Sequence, residues 1–244
     1  MCLPGGPLRS PRYLGVLGGL DAHRELVLLQ LPPRRVDRIV ADVEALRAHL
    51  GRERIDILAH SAAGNLALLY AAAYPERVSR MALVTPTARV VGVSPSDEDV
   101  RVALERRSGE PWYPAARQAV EALEAGDQSV ATRRAVAPFL YGRWDSAAQS
   151  HAASEATQMA PGSREIYYGE GAFDPAATRA VLARLAAPVL ILAGSLDFEP
   201  TVGAANELAG LFSNASVAVQ PGAGHFPWLD DAAEFVALLS AFLG

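Results

Sequence analysis

The sequence predicts an α/β fold: a mostly parallel, doubly wound sheet with helices on both faces, interrupted by an inserted helical cap. Three observations predict it. Short runs of branched apolar residues alternate with helical periodicity in the first and last thirds of the chain. Those runs are continuously apolar rather than alternating in polarity, as strands covered on both faces are. From about residue 94 to 187 no such run occurs, and helix caps and aromatic residues accumulate instead.

Candidate strands are residues 25–30 (ELVLLQ), 54–59 (RIDILA), 80–85 (RMALVT), 188–193 (PVLILA) and 215–220 (ASVAVQ). Between the first two, residues 36–50 place Ile39, Val43, Leu46 and Leu50 on one helical face, and Gly51 supplies a stop. Residues 66–74 and 232–243 read as further helices. In the middle, helical patterns cover 96–107, 113–125, 129–140, 145–159 and 174–185, with Ser96 and Asp174 as N-caps. The chain therefore divides into 1–92 and 187–244, two parts of one core, and a cap over 93–186.

Composition removes several function classes. The net charge is −5 with scattered arginines, so no basic face for nucleic acid is present. No apolar run reaches the roughly 18 residues of a membrane span. The opening MCLPGGPLRS lacks the apolar core of a signal peptide. The one cysteine, Cys2, forms no disulfide within the chain and suits a reducing, cytoplasmic compartment. The five histidines (His23, His49, His60, His151 and His225) have no metal-ligand spacing with it, so no metal is expected.

The chemistry concentrates at the ends of the predicted strands. In AHSAAGNLAL, Ser61 follows a strand and precedes a helix. A serine held at such a corner points its hydroxyl out of the sheet, toward the positive end of the helix. The crowded turn needs small residues two before and two after; Ala59 and Ala63 stand there, with Gly64 one place later. In isolation Ser61 also reads as a helix cap. LAGSLD places Asp197 after another strand, and GAGHFPWLDD places His225 after the last. Ligands of parallel sheets bind beyond the carboxyl ends of the strands, where all three loops would meet. His225 would take a proton from Ser61, and Asp197 would orient the imidazole. Glu199 and Asp230 are weaker candidates for the acid, and Asp230 and Asp231 also read as the N-cap of the last helix. An oxyanion hole needs two backbone N–H groups: Ala62 would supply one, and the loop at Gly5 and Gly6, in LPGGPL, is a candidate for the other, though it also reads as an ordinary Gly/Pro turn. No G-K-[ST] follows those glycines, so they are not a phosphate loop.

Taken together, these motifs resemble the α/β-hydrolase superfamily, and most closely its capped, proline-iminopeptidase-like branch. The resemblance implies a hydrolase that forms an acyl-enzyme on Ser61 and needs no cofactor, acting on a small-molecule or peptide substrate. Leu3–Leu8 is similar to that branch's H-G-G-P-G loop, which implies Gly6 as the second oxyanion donor, with Pro4 and Leu8 standing where the loop has histidine and glycine. Such proteins carry two strands and most of a third ahead of this loop, whereas Met1 falls almost on it. The resemblance thus predicts an N-terminally shortened sheet with a gap beside the Ser61 strand. After LVLLQ the family's Asp-x-Arg-Gly-x-Gly-x-Ser turn is absent as well. Glu155, Glu165 and Glu170 in the cap match no amine-binding motif and read as solvated charge. A catalytically silent scaffold that binds a partner is the alternative, favoured by the shortening and by the alanines at the corner.

Overall fold

The computed structural model describes residues 1–127 and 129–244. Five parallel strands form one sheet among them: β1 (Cys2–Leu3), β2 (Ile55–His60), β3 (Val78–Val84), β4 (Val189–Gly194) and β5 (Ala215–Gln220). They lie side by side in chain order, every pair parallel. The central strands β2, β3 and β4 are almost wholly buried, which is why their sequences carry no polar alternation.

Helices cover both faces. On one lie α1 (Val36–His49), α2 (Ala63–Ala73), α8 (Pro175–Leu182) and α9 (Val202–Ala209), packed into a cluster that includes Ile39, Val43, Leu66, Leu68, Met81 and Ile191. On the other, α11 (Ala232–Leu243) and 3₁₀ turns over 11–22 pack around Leu17, Leu20, Val84, Leu192, Phe235 and Leu239. A two-faced parallel sheet of this kind is the doubly wound architecture expected. Helix α2 is apolar on nearly every side because α1, α8 and the sheet surround it. Fully burying a leucine of this helix is worth about 1.5–3 kcal/mol.

Between β3 and β4 the described residues form no strand, one isolated bridge between Ala88 and Val93 apart; the α-helices there are α3 (Asp97–Glu105), α4 (Tyr113–Glu124), α5 (Val130–Val136), α6 (Ser146–Gln158), α7 (Ser163–Tyr167) and α8. The caps are where the sequence places them, with Ser96 Oγ accepting from Asp99 N–H at 3.1 Å and Asp174 from Ala177 N–H at 3.0 Å. The 129–140 pattern divides, its last turn tightening to 3₁₀ at Ala137–Leu140 around Pro138, which lacks the N–H an α-helix needs there. Helices α7, α9 and the short α10 (Pro227–Asp230) lie outside the segments that periodicity marked.

Two expectations are corrected at the sheet's first edge. No gap lies beside the Ser61 strand: Cys2 and Leu3 pair with Leu58 and Ala59. Residues 25–30 do not form a strand. They contribute one isolated parallel bridge, Leu28 to Cys2, flanked by Cys2 N–H to Val27 O at 2.8 Å and Leu29 N–H to Cys2 O at 3.0 Å. β1 is only two residues long, and Pro4 brings no N–H to extend it, so the neighbouring segment has no ladder to follow.

Candidate active site

The carboxyl ends of β2, β4 and β5 bring the three predicted side chains together. Ser61 follows His60, the last residue of β2, and precedes α2. Its φ is +54°, a left-handed conformation that costs a non-glycine residue about 1–3 kcal/mol. The corner is held in place from both sides. Ser61 N–H donates to Val84 O at 3.0 Å, and Ser61 O accepts from Gly64 N–H at 2.8 Å and Thr87 N–H at 3.0 Å. Ala63 is fully buried and fits at the position the usual pattern gives to glycine. Gly64 is the residue without room: a Cβ there would lie 2.7 Å from Thr87 O and 2.8 Å from Pro86 Cβ. The glycine requirement has moved one place along the helix.

Asp197 lies three residues past the end of β4 and is 2% exposed. Its Oδ1 accepts from Glu199 N–H at 3.0 Å, and its Oδ2 faces His225 Nδ1 at 2.8 Å. His225 Nε2 in turn lies 2.8 Å from Ser61 Oγ. Ser61, His225 and Asp197 thus form one hydrogen-bonded chain. Burial alone pulls the His225 imidazolium down, but the Asp197 charge and hydrogen bond more than reverse this and raise it above the usual histidine value. An imidazole so placed is neutral and able to accept at Nε2 above that raised value, with its Nδ1–H turned to the carboxylate.

The other candidate acids are elsewhere. Glu199 is half exposed and lies 3.9 Å from Arg89. Asp230 accepts from Gly142 N–H at 2.9 Å and Gly224 N–H at 2.8 Å, which ties the histidine loop to the turn after Tyr141. Asp231, not Asp230, caps α11, through Glu234 N–H at 3.0 Å.

The glycine loop lies directly on the corner. A Cβ on Gly5 would stand 2.5 Å from His60 O and 2.7 Å from Ser61 Cβ, so only glycine permits the approach. Gly6 turns with φ +47°. Among the described residues neither the Gly6 nor the Ala62 N–H has a hydrogen-bond acceptor, which leaves both donors available.

Sequence reasoning missed three residues that frame this chain. Thr85 Oγ1 and His60 Nε2 both donate to His225 O, each at 2.9 Å, while His225 N–H donates to Leu140 O at 2.8 Å. The Tyr13 hydroxyl bridges Gly5 N–H and His60 Nδ1. His60 stood next to Ser61 in the motif, a signal that was available. Tyr13 and Thr85 gave none, because only the folded chain brings them near.

A cavity of about 1200 Å³ opens between α4–α7 and the loops after β3 and β4. Its wall includes Thr87, Phe226 and Glu199, which are respectively a hydrogen-bond partner of Ser61, the residue after His225 and a partner of Asp197. Leu123, Val136 and Met159 supply apolar wall opposite. Glu155 and Glu165 reach it, whereas Glu170 does not. Among the described residues no cluster of three or more histidine, cysteine or acidic side chains could hold a metal ion, and no helix is long and apolar enough to cross a membrane.

A family model for the alpha/beta hydrolase fold matches residues 9–232. The chain belongs to the α/β-hydrolase family. Solved structures of similar shape include the esterase RhEst1 from Rhodococcus sp. ECU1013, at TM-score 0.70 and 21% identity over 99% of this chain and 88% of that one. The proline iminopeptidase of Mycobacterium smegmatis superposes at 0.69 with 20% identity, covering 99% of this chain and 87% of that one. The 2-hydroxy-6-oxo-6-phenylhexa-2,4-dienoate hydrolase from Rhodococcus sp. strain RHA1 gives 0.68 and 17%, covering 99% and 89%. At these identities the likeness is one of fold.

Proposed function

We propose that the protein is a serine hydrolase that cleaves an ester, amide or related acyl bond of a small molecule or peptide through an acyl-enzyme. The single observation that carries this is the Ser61–His225–Asp197 chain, with 2.8 Å at both links, on a strand-to-helix corner held at positive φ. Ser61 Oγ attacks the carbonyl carbon while its proton passes to His225 Nε2. The oxyanion that forms is received by the N–H groups of Gly6 and Ala62. Collapse expels the leaving group, which takes the proton from His225, and the acyl group remains on Ser61. Water then gives its proton to the same nitrogen and attacks the acyl carbon; collapse expels Ser61 Oγ, which takes that proton back from His225, and the acid is released. Asp197 stays ionised throughout and stabilises the imidazolium.

Residues 93–186 read as the cap of this enzyme, with the cavity beneath it receiving the substrate. A capped branch that includes iminopeptidases, and a cytoplasmic setting for a chain with one buried cysteine, agree with the same reading. Hydrolysis of short p-nitrophenyl esters by the protein and by Ser61→Ala tests it. Loss of at least about 10³-fold in kcat in a folded Ser61→Ala protein is expected. Equal rates in the two would overturn the proposal and leave a silent scaffold.

A further inference from the structure

Behind the reacting atoms runs a second polar chain that the steps above do not use. The Gly5 N–H can only donate, and it donates to the Tyr13 hydroxyl at 2.5 Å. The single phenolic proton is then directed the other way, to His60 Nδ1 at 2.7 Å. With Nδ1 accepting, the imidazole proton sits on Nε2, which donates to the backbone carbonyl of His225 at 2.9 Å. The His225 carbonyl can only accept, so the neutral ring carries its proton on Nε2, Nδ1 accepts from the Tyr13 hydroxyl, and the direction is fixed from Gly5 to His225. Burial, and then the charge of His225, hold the His60 imidazolium well below its usual value, and the neutral ring that results is the one this direction requires.

Both rings are locked in place. Tyr13 is 4% exposed and His60 is 1% exposed. The Arg9 guanidinium stands 4.3 Å over the Tyr13 ring, and His151 Nε2, from α6, reaches the Tyr13 carbonyl at 3.1 Å. Arg9 is itself tied to α6 through Gln158 Oε1 at 2.9 Å. The hydroxyl therefore has little freedom to follow the glycine loop if that loop shifts.

The two ends of the chain are what give it meaning. Gly5 adjoins Gly6, the proposed oxyanion donor, and His225 is the proposed base. We infer that Tyr13 is a positioning residue, whose hydroxyl holds the Gly5–Gly6 loop over the corner and, through His60, the backbone of His225. The oxyanion donor and the base thereby keep one spacing across Ser61. This inference rests on the serine-hydrolase reading.

Tyr13→Phe removes one oxygen and leaves the buried Gly5 N–H without a partner. A displacement of about 1 Å in such a group costs about 10²-fold in rate, so kcat is expected to fall by about 10–100-fold. Tyr13 is not part of the cavity wall, so KM stays within about threefold of wild type. The acid limb of the pH profile does not move, because Asp197 still holds His225. A second variant, His60→Asn, keeps an acceptor for Tyr13 but is too short to place a donor where His60 Nε2 meets His225 O, and it lowers kcat as well. Steady-state ester hydrolysis at 25 °C, on variants whose circular dichroism shows an intact fold, reads these effects. Wild-type kcat in folded Tyr13→Phe overturns the inference, as does a raised KM with kcat unchanged. Should Tyr13→Phe fail to fold, wild-type kcat in folded His60→Asn overturns it equally. An inactive wild-type protein overturns the serine-hydrolase reading and this inference with it; an active wild type with equally active variants overturns this inference alone.

Discussion

Asp197→Asn is the most informative single substitution, because the structure dictates which way the new amide must face. Asp197 accepts on both oxygens, from Glu199 N–H at 3.0 Å and from His225 Nδ1 at 2.8 Å. The backbone N–H of Glu199 cannot become an acceptor. The asparagine oxygen is therefore held on the Glu199 side, and its NH₂ is turned toward His225 Nδ1. Nδ1 must then accept, which moves the imidazole proton to Nε2, facing Ser61 Oγ. A base already protonated at that nitrogen takes no proton from the serine. The same tautomer error in other Ser-His-Asp enzymes costs about 10⁴-fold in kcat, or about 5 kcal/mol at the transition state. Steady-state kinetics on a p-nitrophenyl ester reads the loss, with circular dichroism to show that the nearly isosteric change leaves the fold intact. Glu199→Gln serves as the comparison and is expected to keep activity within about threefold, since the Glu199 carboxylate pairs with Arg89 at 3.9 Å while both ring nitrogens of His225 are taken by Asp197 and Ser61. An Asp197→Asn enzyme within tenfold of wild type would refute the reasoning and remove Asp197 from the site.

Other outcomes follow from the same geometry. In the proposed mechanism the neutral form of His225 is the active one, and its titration lies above the usual histidine value. The kcat/KM of the wild type should therefore rise with pH through a limb above about 6.5; a limb at or below that value contradicts the Asp197–His225 link. Gly64→Ala should destabilise the fold by about 1–3 kcal/mol, because the added methyl meets Thr87 O and Pro86 Cβ below 3 Å. A chain of this length then melts about 2–4 °C lower per kcal/mol, and an unchanged melting temperature counts against the tight corner. Asn65 is fully buried, donates to Ala62 O at 3.1 Å and Thr87 Oγ1 at 2.8 Å, and accepts from Val90 N–H at 2.9 Å. Asn65→Ala leaves the Val90 N–H unpaired and should cost about 1–3 kcal/mol in chemical denaturation; no loss would mean the network is dispensable.

Much of this was legible before folding, for reasons that belong to particular residues. The buried strands announced themselves because β2, β3 and β4 are covered on both faces and tolerate no polar alternation. Ser61, Asp197 and His225 each stood just past such a strand, so the sheet's polarity placed all three on one edge. What the sequence hid was short-range in space and long-range in sequence. Tyr13 lies 47 positions from His60, yet its hydroxyl is 2.7 Å away. Thr85 lies 140 positions from His225 and bonds its carbonyl. Residues 25–30 had a strand's composition, but a strand also needs a partner, and two-residue β1 offers only one bridge. The corner looked weakened because glycine was missing two places after Ser61. In the fold that site accepts alanine, and the close approach falls on Gly64 instead.

Labelling with a fluorophosphonate, followed by mass spectrometry of the modified peptide, tests the central claim most directly, because it reports an activated serine whatever the natural substrate. A single adduct on Ser61 that disappears in His225→Ala is expected. A folded protein that takes no adduct, or takes one on another serine, would contradict it.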